Sequence, residues 1–285
     1  MATYLPAPQS AAVPIFSSNP FVTGFNMAVT GNTTFTLTPG AARAMTSDFV
    51  ISYPSYSANL PALITVDVST VGANGCFPVA LASLGLGLQT QFPVYIIEKS
   101  SGTTDGSLNP AVNAVCVVAT GNNFLPAGYD AFRRIGWVYI DDVTLHILPM
   151  TQSGNGNERT YVLQDPLTPV SGGNATAQTV VDLTINDGAV PAIPNVKVLL
   201  NVEIAPSAAN GYVCVEPGNA TAASLAPVEI IGSVAAVKNS SYVEMISTPN
   251  ATTGNAEIKY FVDNAGSAAT INVVGFEDSL GNTLV

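Results

Sequence analysis

Residues 125–142 read LPAGYDAFRRIGWVYIDD. The stretch holds the single Trp of the chain and its one adjacent pair of basic residues, Arg133 and Arg134, among only eight Lys and Arg in 285 residues. Leu125-Pro126-Ala127-Gly128 is a turn signature, because Pro presets φ and Gly frees it. The run that follows is rich in aromatic and β-branched residues and carries no helix period, which reads as a strand. Strict alternation puts Arg133, Ile135, Trp137 and Tyr139 on one face and Phe132, Arg134, Gly136, Val138 and Ile140 on the other. The two arginines then leave opposite faces and cannot form one anion clamp. Each is expected to pair with a carboxylate close in sequence, among Asp130, Asp141 and Asp142, with its stem on aromatics. The other expectation is a contact between subunits, since Arg and Trp are favoured anchors there.

Similar runs recur outward in both directions. TTFTLTP, DFVISYP, ALITVDVS, FPVYIIEKS, NAVCVVAT, VTLHILPM, RTYVLQD, TVVDLTI, NVKVLLNVEI, GYVCVEP, VEIIGSV, SYVEMIST, EIKYFVDN and TINVVGFED are short, Val/Ile/Thr/Tyr-rich and bounded by Gly, Pro, Asn or Ser. Phe35 and Leu37 share a face, as do Val143, Leu145 and Ile147, and Ile258, Tyr260 and Val262. NAVCVVAT and VKVLLNV are apolar on both faces and belong inside a sandwich or under a neighbouring chain. Gly and Pro number 44 together and interrupt most helix-length windows. Residues 78–87 or 39–45 offer at most one short helix. The expected fold is all-β, a β-sandwich or jelly roll, as two tandem sandwich domains. The Pro/Gly/Ser-rich string QDPLTPVSGGNATAQ marks a linker at 166–178 between domains at 21–165 and 179–285. Residues 1–20, with four prolines and no periodicity, read as an extended arm that needs a neighbouring subunit to order it.

Composition narrows the function. Only 9% of residues are charged and 47% are hydrophobic, with mean hydropathy +0.36, against about 25% charged in ordinary domains. No run of about 18 apolar residues is available to span a membrane, and residues 1–16 have neither the basic nor the apolar region of a signal peptide. Two readings account for so few charges: a surface largely covered by other subunits, or simply a low-charge β-sandwich. The net charge of −11 argues against nucleic acid and anionic lipid as partners. Cys76, Cys116 and Cys214 lie far apart in apolar sequence and read as buried free thiols, as in a reducing cytoplasm.

No constellation points to catalysis, and no catalytic, metal or cofactor-binding residue is assigned. His146, the single histidine, reads as a hydrogen-bonded strand residue with no nucleophile elbow to serve. Asp141 and Asp142 read as a hairpin turn, not a calcium loop, and Asn186-Asp187-Gly188 as another turn. No P-loop, dinucleotide fingerprint or zinc motif is present. Five N-x-S/T sequons begin at Asn32, Asn174, Asn219, Asn239 and Asn250 and read as Asn/Thr-rich turns.

The string LPAGYDAFRRIGWVYID, followed by MTQSGNGN, resembles a segment of tailed-bacteriophage virion proteins, in which a Pro-x-Gly-Tyr turn leads into an Arg-Arg-Ile/Val-Gly strand. FTLTPGAARAMTSDFVISYPS with GANG downstream is similar to the entry of such proteins, and VVDLTINDGAVPAIPNVKVLLNVEI to their second sandwich. The resemblance covers residues 35–165 closely and 175–280 loosely. It implies β-sandwich or jelly-roll domains, a homotrimer, no catalysis and a place in the virion after assembly in the host cytoplasm. Capsid decoration (cement), head-fibre and tail-fibre proteins share these strings. Partners on this reading are other copies of the chain and the major capsid protein or other virion proteins. Contact residues are expected at Pro6, Pro8, Pro14 and Phe16 in the arm and at Arg133, Arg134 and Trp137 in the strand. The chain lacks the long shaft or variable tip of a receptor-binding fibre. A tail-fibre module gripping a host glycan would need an aromatic platform, for which Tyr53 and Tyr56 are the candidates.

Overall fold

The computed structural model describes residues 22–43, 45–46, 57–60, 63–77, 79–83, 90–98, 114–118, 126, 129, 131–154, 158–184, 190–193, 196–220 and 228–279. The architecture is all-β. Through residue 140 the strands are β1 (Val22–Gly24), β2 (Met27–Val29), β3 (Thr34–Leu37), β4 (Gly40–Arg43), β5 (Met45–Thr46), β6 (Ser57–Leu60), β7 (Ile64–Asp67), β8 (Gly75–Phe77), β9 (Thr90–Glu98), β10 (Ala114–Val118) and β11 (Ala131–Ile140). After it come β12 (Met150–Ser153), β13 (Glu158–Gly173), β14 (Thr179–Asp182), β15 (Lys197–Ala205), β16 (Gly211–Pro217), β17 (Val228–Gly232), β18 (Asn239–Ile246), β19 (Thr248–Pro249), β20 (Ala256–Val262) and β21 (Ala268–Ser279). The only helical turn among the described residues is a 3-10 turn at Leu81–Ser83. At 39–45, where a short helix was one expectation, the chain runs instead as β4 and the start of β5.

The second half is a two-layer sandwich. Its front sheet has the order β12-β13-β21-β15-β18 and its back sheet the order β14-β20-β16-β17, all antiparallel. Alternation dictates what faces inward. Ile258, Tyr260 and Val262 of β20 are buried as read from sequence, opposite Val198, Leu200 and Val202 of β15. In the first half a central sheet, β5-β11-β9-β10-β8, packs with two three-stranded sheets, β1-β4-β6 and β2-β3-β7. Phe35 and Leu37 of β3 and Val66 of β7 meet Phe92 and Val94 of β9 in that core, while Thr34 and Thr36 alternate to the half-buried face.

The two cores share a wall. Ile135, Val138 and Ile140 of β11 enter the first core, and Trp137 and Tyr139 of the same strand enter the second. The region read as a linker is built differently: Glu158–Gly173 is one sixteen-residue strand. Its register against β21 slips three times between Val162 and Gly173, and β12 covers its other edge only between Thr160 and Leu163. Pro166 and Pro169 fall in the irregular, open-edged part, where a missing N–H costs no ladder bond.

VTLHILPM is not a strand. Asp141 takes Thr144 N–H on Oδ2 at 2.7 Å and also accepts from the Thr144 hydroxyl. The resulting turn leaves Val143 exposed and Leu145 at φ 56°. Val143, Leu145 and Ile147 therefore share no sheet face, and only Ile147 makes a bridge, to Ile140. Asp141 serves the turn, as its position between two runs indicated, and a local side-chain acceptor has outcompeted the ladder.

Candidate functional site

β11 is long and apolar enough to form a central strand, but its alternation does not run unbroken. Arg134 pairs with Tyr95 of β9 and Gly136 with Val94, so Ile135 is an extra residue, a β-bulge. Past the bulge every face is exchanged relative to strict alternation. Trp137 and Tyr139 consequently stand on the face of Arg134, and Ile135 on that of Val138. The grouping of Trp137 with Arg133 is thus corrected, whereas the opposite directions of Arg133 and Arg134, which lie before the bulge, hold.

The bulge assembles a buried polar joint. Arg134 Nη2 donates to Asp278 Oδ1 at 3.0 Å, and Trp137 Nε1 donates to Asp278 Oδ2 at 2.7 Å. The guanidinium carbon stands 4.9 Å from the centre of the Trp137 ring, close enough for a cation–π contact. The carboxylate partner thus lies 144 residues away on β21, not among the neighbouring aspartates. Arg133, Arg134, Trp137 and Asp278 are all under 5% exposed.

A second arginine continues the joint. Arg159 of β13 is the ladder partner of Asp278, is fully buried, and donates from Nη1 to the Phe25 carbonyl at 2.9 Å and from Nη2 to the Gly24 carbonyl. It therefore ties the front sheet to the end of β1. Burial lowers its pKa, opposed by neighbouring Tyr161 and Asp278. Tyr161 stacks on Phe276 with centroids 4.8 Å apart, and a Cβ on Gly136 would come to 3.2 Å from its hydroxyl. Burial, reinforced by Asp278, pushes the Tyr161 phenol far above its ordinary range. Tyr95, edge-on to Phe132 at 5.7 Å, is raised by burial too, against the pull of Arg134. A neutral phenol held that high is neither a base nor a nucleophile at neutral pH.

The chemistry available here is cohesive. A carboxylate accepts two charge-assisted or strong donors from one strand, and a guanidinium donates to two backbone carbonyls, one at the end of β1 and one just past it. Sequence reasoning missed Asp278, Arg159 and Tyr161, because nothing local distinguishes them. The intrachain partners of Arg134 and Trp137 mean that any part they play in a subunit contact is indirect, by fixing the sheets that present it. Pro6, Pro8, Pro14, Phe16, Tyr53 and Tyr56 lie outside the described residues. Cys76 and Cys214 are buried free thiols. Burial pushes both up to about 11. His146 sits half-buried in the turn region after β11, its carbonyl accepting from Asp141 N–H at 2.9 Å. Among the described residues no cluster of three or more His, Cys, Asp or Glu forms a metal-ligand set.

No family model matches the chain, and no curated protein matches it in sequence. Among solved structures it overlaps with "Structure of infectious bursal disease virus Gx strain" at 10% identity and a TM-score of 0.23, over 93% of this chain and 73% of that one. It overlaps with "Structure of infectious bursal disease virus Gt strain" at 12% identity and a TM-score of 0.21, over 90% and 70%. At TM-scores this low the overlap does not amount to a common fold and bears on no functional step below.

Proposed function

We propose that this chain is a non-enzymatic structural protein of a bacteriophage particle, a capsid decoration (cement) or head-fibre protein that stabilises the shell through contacts between subunits. The observation that carries the reading is the buried joint. The one stretch where the sequence concentrates arginine, tryptophan and tyrosine is used to lock two cores together, with Arg134 and Trp137 both committed to Asp278. The same stretch carries the resemblance to virion proteins. Scarce charge supports it further, because a surface covered by neighbours needs few solvating groups. Repeated over a shell, modest contacts become collectively strong. Other copies of the chain, as a homotrimer, and the major capsid protein are the partners, joined in the host cytoplasm during assembly.

The test is immunogold electron microscopy of intact virions with antibody to this chain. Label over the whole head is the expected result. Label confined to the tail overturns the decoration reading in favour of a receptor-binding module and makes glycan binding the next measurement. Virions without label overturn both.

A further inference from the structure

The front sheet ends in an unguarded edge. β18 closes it on the far side from β12, and among the described residues no strand pairs with its outer edge. It is eight residues long, NSSYVEMI, with no proline and no lysine. Natural edges are blunted by shortness, proline, charge, bulges or a covering element; among the described residues β18 shows of these only one charge. Its single charge, Glu244, is held at 2.6 Å by Lys197 of the adjoining strand. Val243 and Met245 point into the core, leaving Tyr242 67% and Ile246 57% exposed on the other face.

Residues 1–21, MATYLPAPQSAAVPIFSSNPF, contain no charged side chain, and their prolines are Pro6, Pro8, Pro14 and Pro20, every one at an even position. In a strand the N–H groups of alternate residues point to the same edge. Proline is tolerated there only where its missing N–H faces away from the partner. A strand made by this segment can therefore present Leu5, Ala7, Gln9, Ala11, Val13 and Ile15 to an edge without losing one donor to proline.

We propose that residues 5–17 of a neighbouring copy add to the front sheet as a further strand along the outer edge of β18. The neighbour follows from reach. The segment ends at Val22, at the start of β1, and the far end of β1 is tied to β13 through Arg159. From β13 to β18 are three strand spacings, about 14 Å, and a path over the sheet face climbs and descends about 5 Å each way. The tether from Ser17 to Val22 spans at most about 17 Å, less than the four strand spacings, about 19 Å, from β13 to a strand added outside β18. This placement rests on that part of the proposed function which makes residues 1–20 a subunit contact.

Amide hydrogen exchange of the full-length protein tests it, read on the peptide 239–246. The expected result is slow exchange that fades on dilution, accelerates about tenfold or more in Val13→Pro, and is unchanged in Ala12→Pro. Far-UV circular dichroism of both variants separates a local effect on β18 from unfolding. Fast exchange in the unmodified protein, equal loss in both variants, or protection indifferent to dilution overturns the proposal. Light scattering on the same samples separates the two layers. If removing residues 1–20 disperses the assembly while β18 exchanges fast throughout, the arm contact stands and its docking on β18 falls. If that removal changes neither, the arm contact falls with it.

Discussion

At the scale of single residues, the joint around Asp278 makes the sharpest demand. A buried ion pair is worth little in net stability against a well-packed apolar pair, but removing one partner strands a charge and costs about 3–5 kcal/mol. Arg134→Met and Asp278→Leu are each expected to lose stability of that order, and the double substitution to lose clearly less than the sum of the two. Urea unfolding of the four proteins measures the coupling. Additive losses would show that the 3.0 Å contact does not bind the cores. The buried titratable groups make a second demand. Cys76, Cys214, Tyr95 and Tyr161 all have pKa values raised in the fold, with burial the first cause in each. Acids of this kind release protons more readily once unfolded, so their contribution to stability is fully present below the unfolded thiol value near pH 9. It falls as pH rises toward the folded values, about 11 for the thiols. Urea midpoints are expected to hold steady from pH 7 to 8.5 and decline from about pH 9 to 11. A flat profile across that range would contradict the burial of these groups.

At the scale of elements, close approach between strands takes the place of side-chain contact. Gly275 of β21 faces Val162 in the ladder, and a Cβ there would come within 2.1 Å of the Tyr161 carbonyl oxygen. That oxygen is backbone in the middle of the front sheet and cannot swing aside. Gly275→Ala is expected to cost at least about 2 kcal/mol, measurable as a lowered thermal midpoint; an unchanged midpoint would mean that β13 and β21 part easily. Elements also show what the sequence reveals and what it hides. EIKYFVDN and TTFTLTP were legible because each buries one face and keeps its period of two throughout. RRIGWVYI was legible as a strand and misleading as to faces, since one extra residue at Ile135 exchanges them; Gly136 beside it is the available cue, glycine within a strand often marking a bulge. VTLHILPM failed because the Asp141–Thr144 turn competes for the same backbone. Within 166–178, residues 166–173 continue β13, because proline is accommodated on an irregular strand with an open edge. Asp278 was beyond local reasoning altogether, 144 positions from the arginine it neutralises.

At the scale of the whole molecule, the halves are coupled from inside. β11 gives one face to each core, Arg159 holds the carbonyls of Gly24 and Phe25, and Asp278 near the end of β21 returns to the middle of β11. A chain so tied should hold its fold without outside help, which separates the role of residues 1–20 from that of the rest. On the proposed function those residues act between copies, where an ordered segment adds buried apolar area; a stable interface needs about 1,600 Å² in total. Deleting residues 1–20 is accordingly expected to leave the far-UV circular dichroism of a β protein and its cooperative unfolding intact, while the particle measured by sedimentation shifts to the mass of one chain. Loss of the β signal on deletion would place the segment inside the fold. An assembly of unchanged mass would remove it from the subunit contact and return that role to exposed strand faces such as Tyr242 and Ile246 of β18.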